Sequence, residues 1–239
     1  MNFLITGGAS GLGNTITRVI ATAFPNANVY FTYYASEQKA KELMSISDKV
    51  KGIQCDFTSN NDVAAICKLI SDTDIDVLVN NALTGLQKNY FHKTPMSALT
   101  AGFTTDILPV LQITQAFLLQ ARKKKFGKII TILTAGLLNT PPIGWSVYLA
   151  NKAYLQAMHR SWATENIAFN ITSNCVSPDF MLTPLHSETD ERVIENMIAQ
   201  HPLKKLLTTD EVAQTVLYIC NASQQLNGQN IILNAGQNL

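Results

Sequence analysis

Short apolar runs rich in Val and Ile alternate along the chain with longer stretches whose apolar residues recur at helical spacing. The runs predict strands at 2–6, 28–33, 52–55, 76–80, 127–133, 171–176 and 229–233. Between them the spacing predicts helices near 11–24, 36–46, 59–72, 97–124, 146–166, 186–199 and 209–221. Several strands lack a clean polar alternation, as expected of strands covered on both faces by crossover helices. The order therefore implies the α/β class: one Rossmann-like domain over residues 1–239, a three-layer sandwich around a seven-stranded parallel sheet. Thr58-Ser59-Asn60 offers N-cap side chains ahead of Val63, Ile66 and Ile70, and Thr208-Thr209-Asp210-Glu211 reads as a capping box before Val212 and Val216. Pro109 falls inside the predicted helix 97–124, where a missing N–H and a ring clash with the carbonyl four residues back predict a kink. No Pro/Gly/Ser-rich linker or internal repeat divides the chain.

Composition narrows the function classes. A net charge of +1 over 239 residues gives no electrostatic footprint for nucleic acid or an anionic membrane. The one basic cluster, Arg122 to Lys125, ends a predicted helix, where it complements the negative end of the dipole as a solvated group. No apolar run reaches the ~18 residues a membrane span requires. The first strand begins at Asn2, which leaves no room for a signal peptide, so a cytoplasmic location is expected. Cys55, Cys67, Cys175 and Cys220 are widely spaced without a Cys-x-x-Cys pair, and read as reduced, partly buried thiols rather than metal ligands.

Two motifs hold the candidate chemistry. Thr6-Gly7-Gly8-Ala9-Ser10-Gly11-Leu12-Gly13 follows the first strand and opens the first helix. Gly7 takes the tight turn, Gly11 lets backbone approach a pyrophosphate, and Gly13 lets the helix pack on the sheet. The phosphates then face free N–H groups at the positive end of the helix dipole. The second motif is Tyr148-Leu149-Ala150-Asn151-Lys152, which sets two functional side chains four residues apart on one helix face. A carbonyl oxygen gaining charge during hydride transfer needs a proton, and a phenol of ordinary pKa is a reluctant donor and a worse base. A neighbouring ammonium is expected to favour phenolate; bringing the phenol near pH 7 takes about 4 kcal/mol.

The glycine spacing, followed in order by these segments, resembles the short-chain dehydrogenase/reductase family, and the resemblance covers essentially the whole chain. Asn80-Asn81-Ala82 matches that family's Asn-Asn-Ala-Gly, with Leu83 in place of the glycine. His201 to Lys205, Asp210 to Ala213 and Asn227 to Gln229 are similar to the tail of its 3-oxoacyl-carrier-protein reductases, with Asn234-Ala235-Gly236 for their Asp-Gly-Gly. The resemblance implies an NAD(P)(H)-dependent oxidoreductase of ketones or secondary alcohols, with a 3-oxoacyl thioester as first substrate and a sugar or polyketide-like ketone as second. It implies Tyr148 as general acid/base, with Lys152 lowering its pKa and binding the nicotinamide ribose. Thr134 takes the place of the family serine, and Asp106 that of the asparagine whose main-chain carbonyl holds a relay water. The cofactor set it implies comprises Gly7, Ala9, Ser10, Gly11, Leu12, Gly13, Tyr33, Ser36, Asp56, Phe57, Asn80, Asn81 and Ala82, with Tyr148, Lys152, Pro178, Met181 and Thr183 at the nicotinamide end. Asp56 matches the adenine-binding aspartate and equally suits a strand-end turn.

The second strand ends without an acid at Tyr33, which tilts the reading toward NADP(H) over NAD(H). Ser10 and Tyr34 lack the basic side chain that NADP-using relatives often hold there; Ser36 or Lys39 is the substitute. Asp179 replaces the glycine of the family's Pro-Gly segment, a substitution expected to disturb backbone and cofactor fit. A lid over 184–204 and a homotetramer or homodimer are also implied. The departures at 83, 106, 134 and 179 keep open a second reading, a nucleotide-binding scaffold or sensor without efficient chemistry.

Overall fold

The computed structural model describes residues 1–86, 88–138, 140–186 and 189–237. Seven strands form one all-parallel sheet: β1 (Asn2–Ile5), β2 (Asn28–Tyr33), β3 (Val50–Gln54), β4 (Val77–Asn80), β5 (Gly127–Ile132), β6 (Ile171–Pro178) and β7 (Asn230–Leu233). Their order is β3-β2-β1-β4-β5-β6-β7. The chain winds outward from β1 to β3, then restarts beside β1 and winds the other way. The point of reversal opens a crevice beyond the strand ends between β1 and β4, where such sheets bind ligands.

Strand side chains alternate between two cores. Phe3, Ile5, Val77, Val79, Ile130 and Val176 face α1 (Gly11–Ala23), α2 (Glu37–Met44) and α8 (Thr209–Asn221). Leu4, Leu78, Ile129 and Cys175 face α3 (Asn60–Thr73), α5 (Leu108–Lys124) and α6 (Ser146–Asn166). Every residue of β5 and β6 is buried, the polar Lys128, Thr131, Thr172, Ser173, Asn174 and Ser177 included, which explains why these strands lack a clean polar alternation. The caps hold as expected: Ser59 accepts from Asp62 N at the start of α3, and Thr208 and Glu211 close a capping box on α8.

Four boundaries differ from the sequence reading. The stretch 97–124 is not one helix: α4 (Met96–Gly102) runs into a π-helical turn at Phe103–Ile107 before α5 begins. The wide turn sits where Pro109 withholds its N–H and would collide with the carbonyl of Thr105, so the kink takes the form of an inserted residue. β3 starts at Val50 rather than at 52, since pairing of Val50 with Val29 and Lys51 with Tyr30 recruits residues lacking an apolar run of their own. β6 extends to Pro178 because β7 pairs with it as far as Leu233. The helix expected at 186–199 is a 3-10 turn at Pro184–His186 followed by α7 (Glu191–Gln200), whose N-cap Asp190 accepts from Arg192 N; positions 187 and 188 of the expected helix and lid lie outside the described residues.

The basic cluster is less solvated than expected. Lys124 pairs with Asp76 at 2.6 Å, and Arg122 lies 4.3 Å over the Phe169 ring while donating to Glu165 O. All four cysteines are free. Among the described residues no helix is long and apolar enough to cross a membrane.

Candidate active site

A cavity of about 650 Å³ fills the crevice at the strand ends. At its centre is the turn from β1 into α1. Gly7 holds φ +64, and a Cβ there would lie 2.9 Å from Ala82 Cα. At Gly13 a Cβ would come within 2.0 Å of Gly7 O, so only glycine lets the first helical turn sit under the loop. The loop is braced from β4. Asn81 Nδ2 donates to Thr6 O and Gly7 O, and Thr6 Oγ1 accepts from the backbone N–H groups of Asn81 and Ala82. Ser10 is the N-cap of α1, but its side chain makes no capping bond. The first-turn N–H groups of α1 thus point into a cavity walled by Ser10, Gly11, Leu12 and Gly13. An open helix terminus over glycines that a side chain would block suits a pyrophosphate.

Beyond β2 and β3 the cavity is walled by Tyr33, Tyr34 and Ser36, then Asp56 and Phe57. Tyr34 is exposed, Ser36 is the N-cap of α2 without a side-chain cap, and Asp56 Oδ1 accepts from both N and Oγ1 of Thr58. Its carboxylate makes the strand-end turn that the sequence allowed, and the residue lines the cavity. At the opposite end are Thr134, Tyr148, Lys152, Pro178, Met181 and Thr183. Tyr148 and Lys152 project from the first two turns of α6. Lys152 Nζ donates to Ile132 O at 2.7 Å, a bond to the last residue of β5, and lies 5.7 Å from the centroid of the Tyr148 ring. The Thr134 hydroxyl accepts from Gly136 N at 3.2 Å and lines the cavity beside Tyr148. The Trp145 ring meets that of Tyr148 edge-on at 5.5 Å.

Burial sets the electrostatics of this end. It pushes the Tyr148 phenol up to about 12, with the Thr134 hydrogen bond pulling the other way. It also pulls the Lys152 ammonium down to about 8, against the nearby Asp106 and Cys175. Lys152 was expected to lower the phenol; in the protein by itself desolvation dominates, and the Tyr148 phenol is held neutral.

Two expected residues stand outside the cavity. Asn80 is buried and donates from Nδ2 to Thr114 Oγ1, tying β4 to α5. Asp106, in the π turn, accepts from Thr84 N at 2.9 Å and Thr84 Oγ1 at 2.6 Å, so its carboxylate holds the loop after β4 while its field reaches Lys152. Asp179 lines the cavity with its backbone outside the left-handed region that would favour glycine. His201 Nδ1 accepts from Leu203 N, a structural bond. The sequence reading missed Trp145 and Thr84 as walls of the cavity, for each comes from a loop that only the fold brings there, whereas Phe180 of the Pro178 segment and Leu185 and Met197 of the expected lid line it too. Proximity to Tyr148 was the one available signal for Trp145.

A family model described as enoyl-(acyl carrier protein) reductase matches residues 7–238. Nodulation protein G of Rhizobium sp. (strain N33) is 28% identical over 239 residues, covering 98% of this chain and 95% of that protein. The 3-oxoacyl-[acyl-carrier-protein] reductase FabG of Thermotoga maritima is 28% identical over 241 residues, covering 98% and 96%. A solved structure named as a short chain dehydrogenase/reductase family protein superposes with a TM-score of 0.86 at 27% identity, covering 100% of this chain and 97% of the other.

Proposed function

This chain belongs to the short-chain dehydrogenase/reductase family, and from that premise we propose that Tyr148 is its proton donor and Thr134 its substrate-oxygen ligand. It is an NAD(P)-dependent oxidoreductase that moves a hydride between nicotinamide and a ketone or secondary alcohol. The observation that supports the assignment is that Thr134, Tyr148 and Lys152 line one end of the cavity, with Lys152 anchored to Ile132 O.

Asp56 and Phe57 would hold the adenine end of the dinucleotide, Ser10 to Gly13 its phosphates, and Tyr148, Pro178, Met181 and Thr183 its nicotinamide end. Bound there, it would supply the hydride to the carbonyl carbon or accept it from the carbinol. In reduction, the Thr134 hydroxyl donates to the carbonyl oxygen and Tyr148 gives that oxygen its phenolic proton. The phenolate left behind is stabilised by the Lys152 ammonium, which Ile132 O holds in place. In oxidation the same groups run in reverse, with Tyr148 taking the hydroxyl proton. Asp106 is proposed to act through its main chain in the relay that returns a proton to Lys152.

NADP(H) is the proposed cofactor. No carboxylate ends β2, the α2 terminus at Ser36 is uncapped, and Lys39 stands in its first turn. A 3-oxoacyl thioester is the proposed substrate, as the name of the Thermotoga relative suggests. The segment 184–204 is proposed as a lid, since α7 buries none of its residues while Leu185 and Met197 wall the cavity. Exposed Leu119 on α5, Tyr154 on α6 and Ile232 on β7 support a homotetramer or homodimer, and four free thiols support a cytoplasmic location.

The test is oxidation of NADPH and NADH with acetoacetyl thioesters, keto-sugars and diketones, run beside Tyr148→Phe. Removal of the proton donor is expected to cost roughly 10²–10⁴ in kcat with cofactor affinity kept. Turnover that survives the substitution would sink the mechanism, and binding without turnover on any substrate would favour a scaffold.

A further inference from the structure

Among the described residues that line the cavity there are two carboxylates, Asp56 and Asp179, and one side-chain cation, Lys152. Two of the three are engaged. Asp56 accepts from Thr58, and Lys152 donates to Ile132 O with Asp106 as its nearest balancing carboxylate. Asp179 differs. Its backbone N–H donates to Leu233 O, but among the described residues no hydrogen bond or ion pair meets its half-buried carboxylate. Leaving a carboxylate partly desolvated and unmatched costs free energy unless something that binds there answers the charge.

The fold limits what that can be. Ile132 of β5 pairs with Val176 of β6, so Thr134 and Asp179 lie two and three residues further along neighbouring strands. From Asp179 the chain crosses toward α1, and Thr183 and Pro184 come within 3.5 Å of where a Cβ on Gly11 would stand. The stretch from Pro178 to Pro184 therefore spans the cavity from the reaction end to the phosphate end. A dinucleotide with its phosphates at α1 and its reactive ring beside Tyr148 must pass under that stretch, ring toward Asp179. Across the reaction only the ring of the cofactor changes charge: it is cationic when oxidised and neutral when reduced.

We infer that Asp179 selects the redox state of the cofactor, its carboxylate binding the oxidised nicotinamide more tightly than the reduced one. The inference rests on the cofactor placement proposed above. At a separation of ~7 Å and an effective dielectric of ~40, the attraction is worth about tenfold in affinity. In ketone reduction the oxidised cofactor is a product, so it leaves slowly and inhibits strongly as long as Asp179 is charged. A glycine here, which the family resemblance implies, would lack that effect.

The experiment is a titration of the wild type, Asp179→Asn and Asp179→Gly with NADP⁺ and NADPH, and with NAD⁺ and NADH, read by isothermal calorimetry without substrate. The expected result is about tenfold weaker binding of the oxidised form in both variants, with the reduced form within twofold of wild type. Inhibition of ketone reduction by oxidised cofactor should ease by the same factor. Equal weakening of both forms, or an unchanged ratio, would overturn the inference while leaving the cofactor placement standing. A wild type that binds neither form overturns both. Asp179→Asn keeps size and shape, and Asp179→Gly serves if the amide variant fails to fold.

Discussion

At Lys152 burial has made an ammonium that gives up its proton near pH 8, next to a phenol that keeps its own until about 12. The signs then fix the pH dependence of ketone reduction. Below about 8 Lys152 is charged and steadies the phenolate that proton donation creates; above it the charge is lost while Tyr148 is still protonated. The reduction rate should be flat below pH 8 and fall above it, in a profile of kcat measured on one ketone. A rate that rises through that range would contradict the assignment. The residue pair was legible from its spacing and from the motifs before it, whereas the direction of the Tyr148 shift was not. Spacing shows that two groups are near each other, but desolvation depends on what closes over them. Here those groups include Trp145 and Ile132, far from or unmarked by any motif.

The turn between β1 and α1 shows the same division among elements. Its glycine pattern announced a phosphate-binding turn, and the structure adds the reason for each tight spot. With Gly7 O only 2.0 Å from a Cβ at Gly13, Gly13→Ala has to push the helix off the loop. The expected cost is about 3 kcal/mol of stability, at the upper end for overpacking, together with loss of nucleotide binding. Denaturant melts with and without cofactor check both, and a stable variant that still binds would show that the loop can give. The expectation at Pro109 named the place of a disturbance but not its form, a π turn. A proline states that one N–H is missing; whether the helix bends, breaks or takes up an extra residue depends on what the freed turn can bond to. Here Asp106 in that turn finds Thr84 on the loop after β4, a partner 22 positions away.

Across the whole molecule one buried cation holds the two halves of the chain together. Lys128 on β5 is 5% exposed and donates to Ile219 O and Ala222 O at the C-terminal end of α8, more than 90 positions on. There it meets the negative end of the helix dipole as well as two carbonyls. Replacing it by Met keeps the length and removes the bonds, so Lys128→Met should lose about 2 kcal/mol in equilibrium unfolding. No change in stability would mean that solvent or a shift of α8 satisfies those carbonyls instead. In the sequence this lysine looks like any polar residue interrupting an apolar run. The sequence by itself determined the class of fold and the family, and it marked the glycine turn after β1 and the setting of Tyr148 and Lys152 on one helix, because hydrophobic period, turn chemistry and short motifs are local. Tertiary structure alone decided that Asn80 and Asp106 brace the site from outside it, that Asp179 faces the cavity without a side-chain partner among the described residues, and that Lys128 caps a distant helix. Those roles depend on burial and on partners brought in by the strand order, and neither is encoded within reach of a single segment.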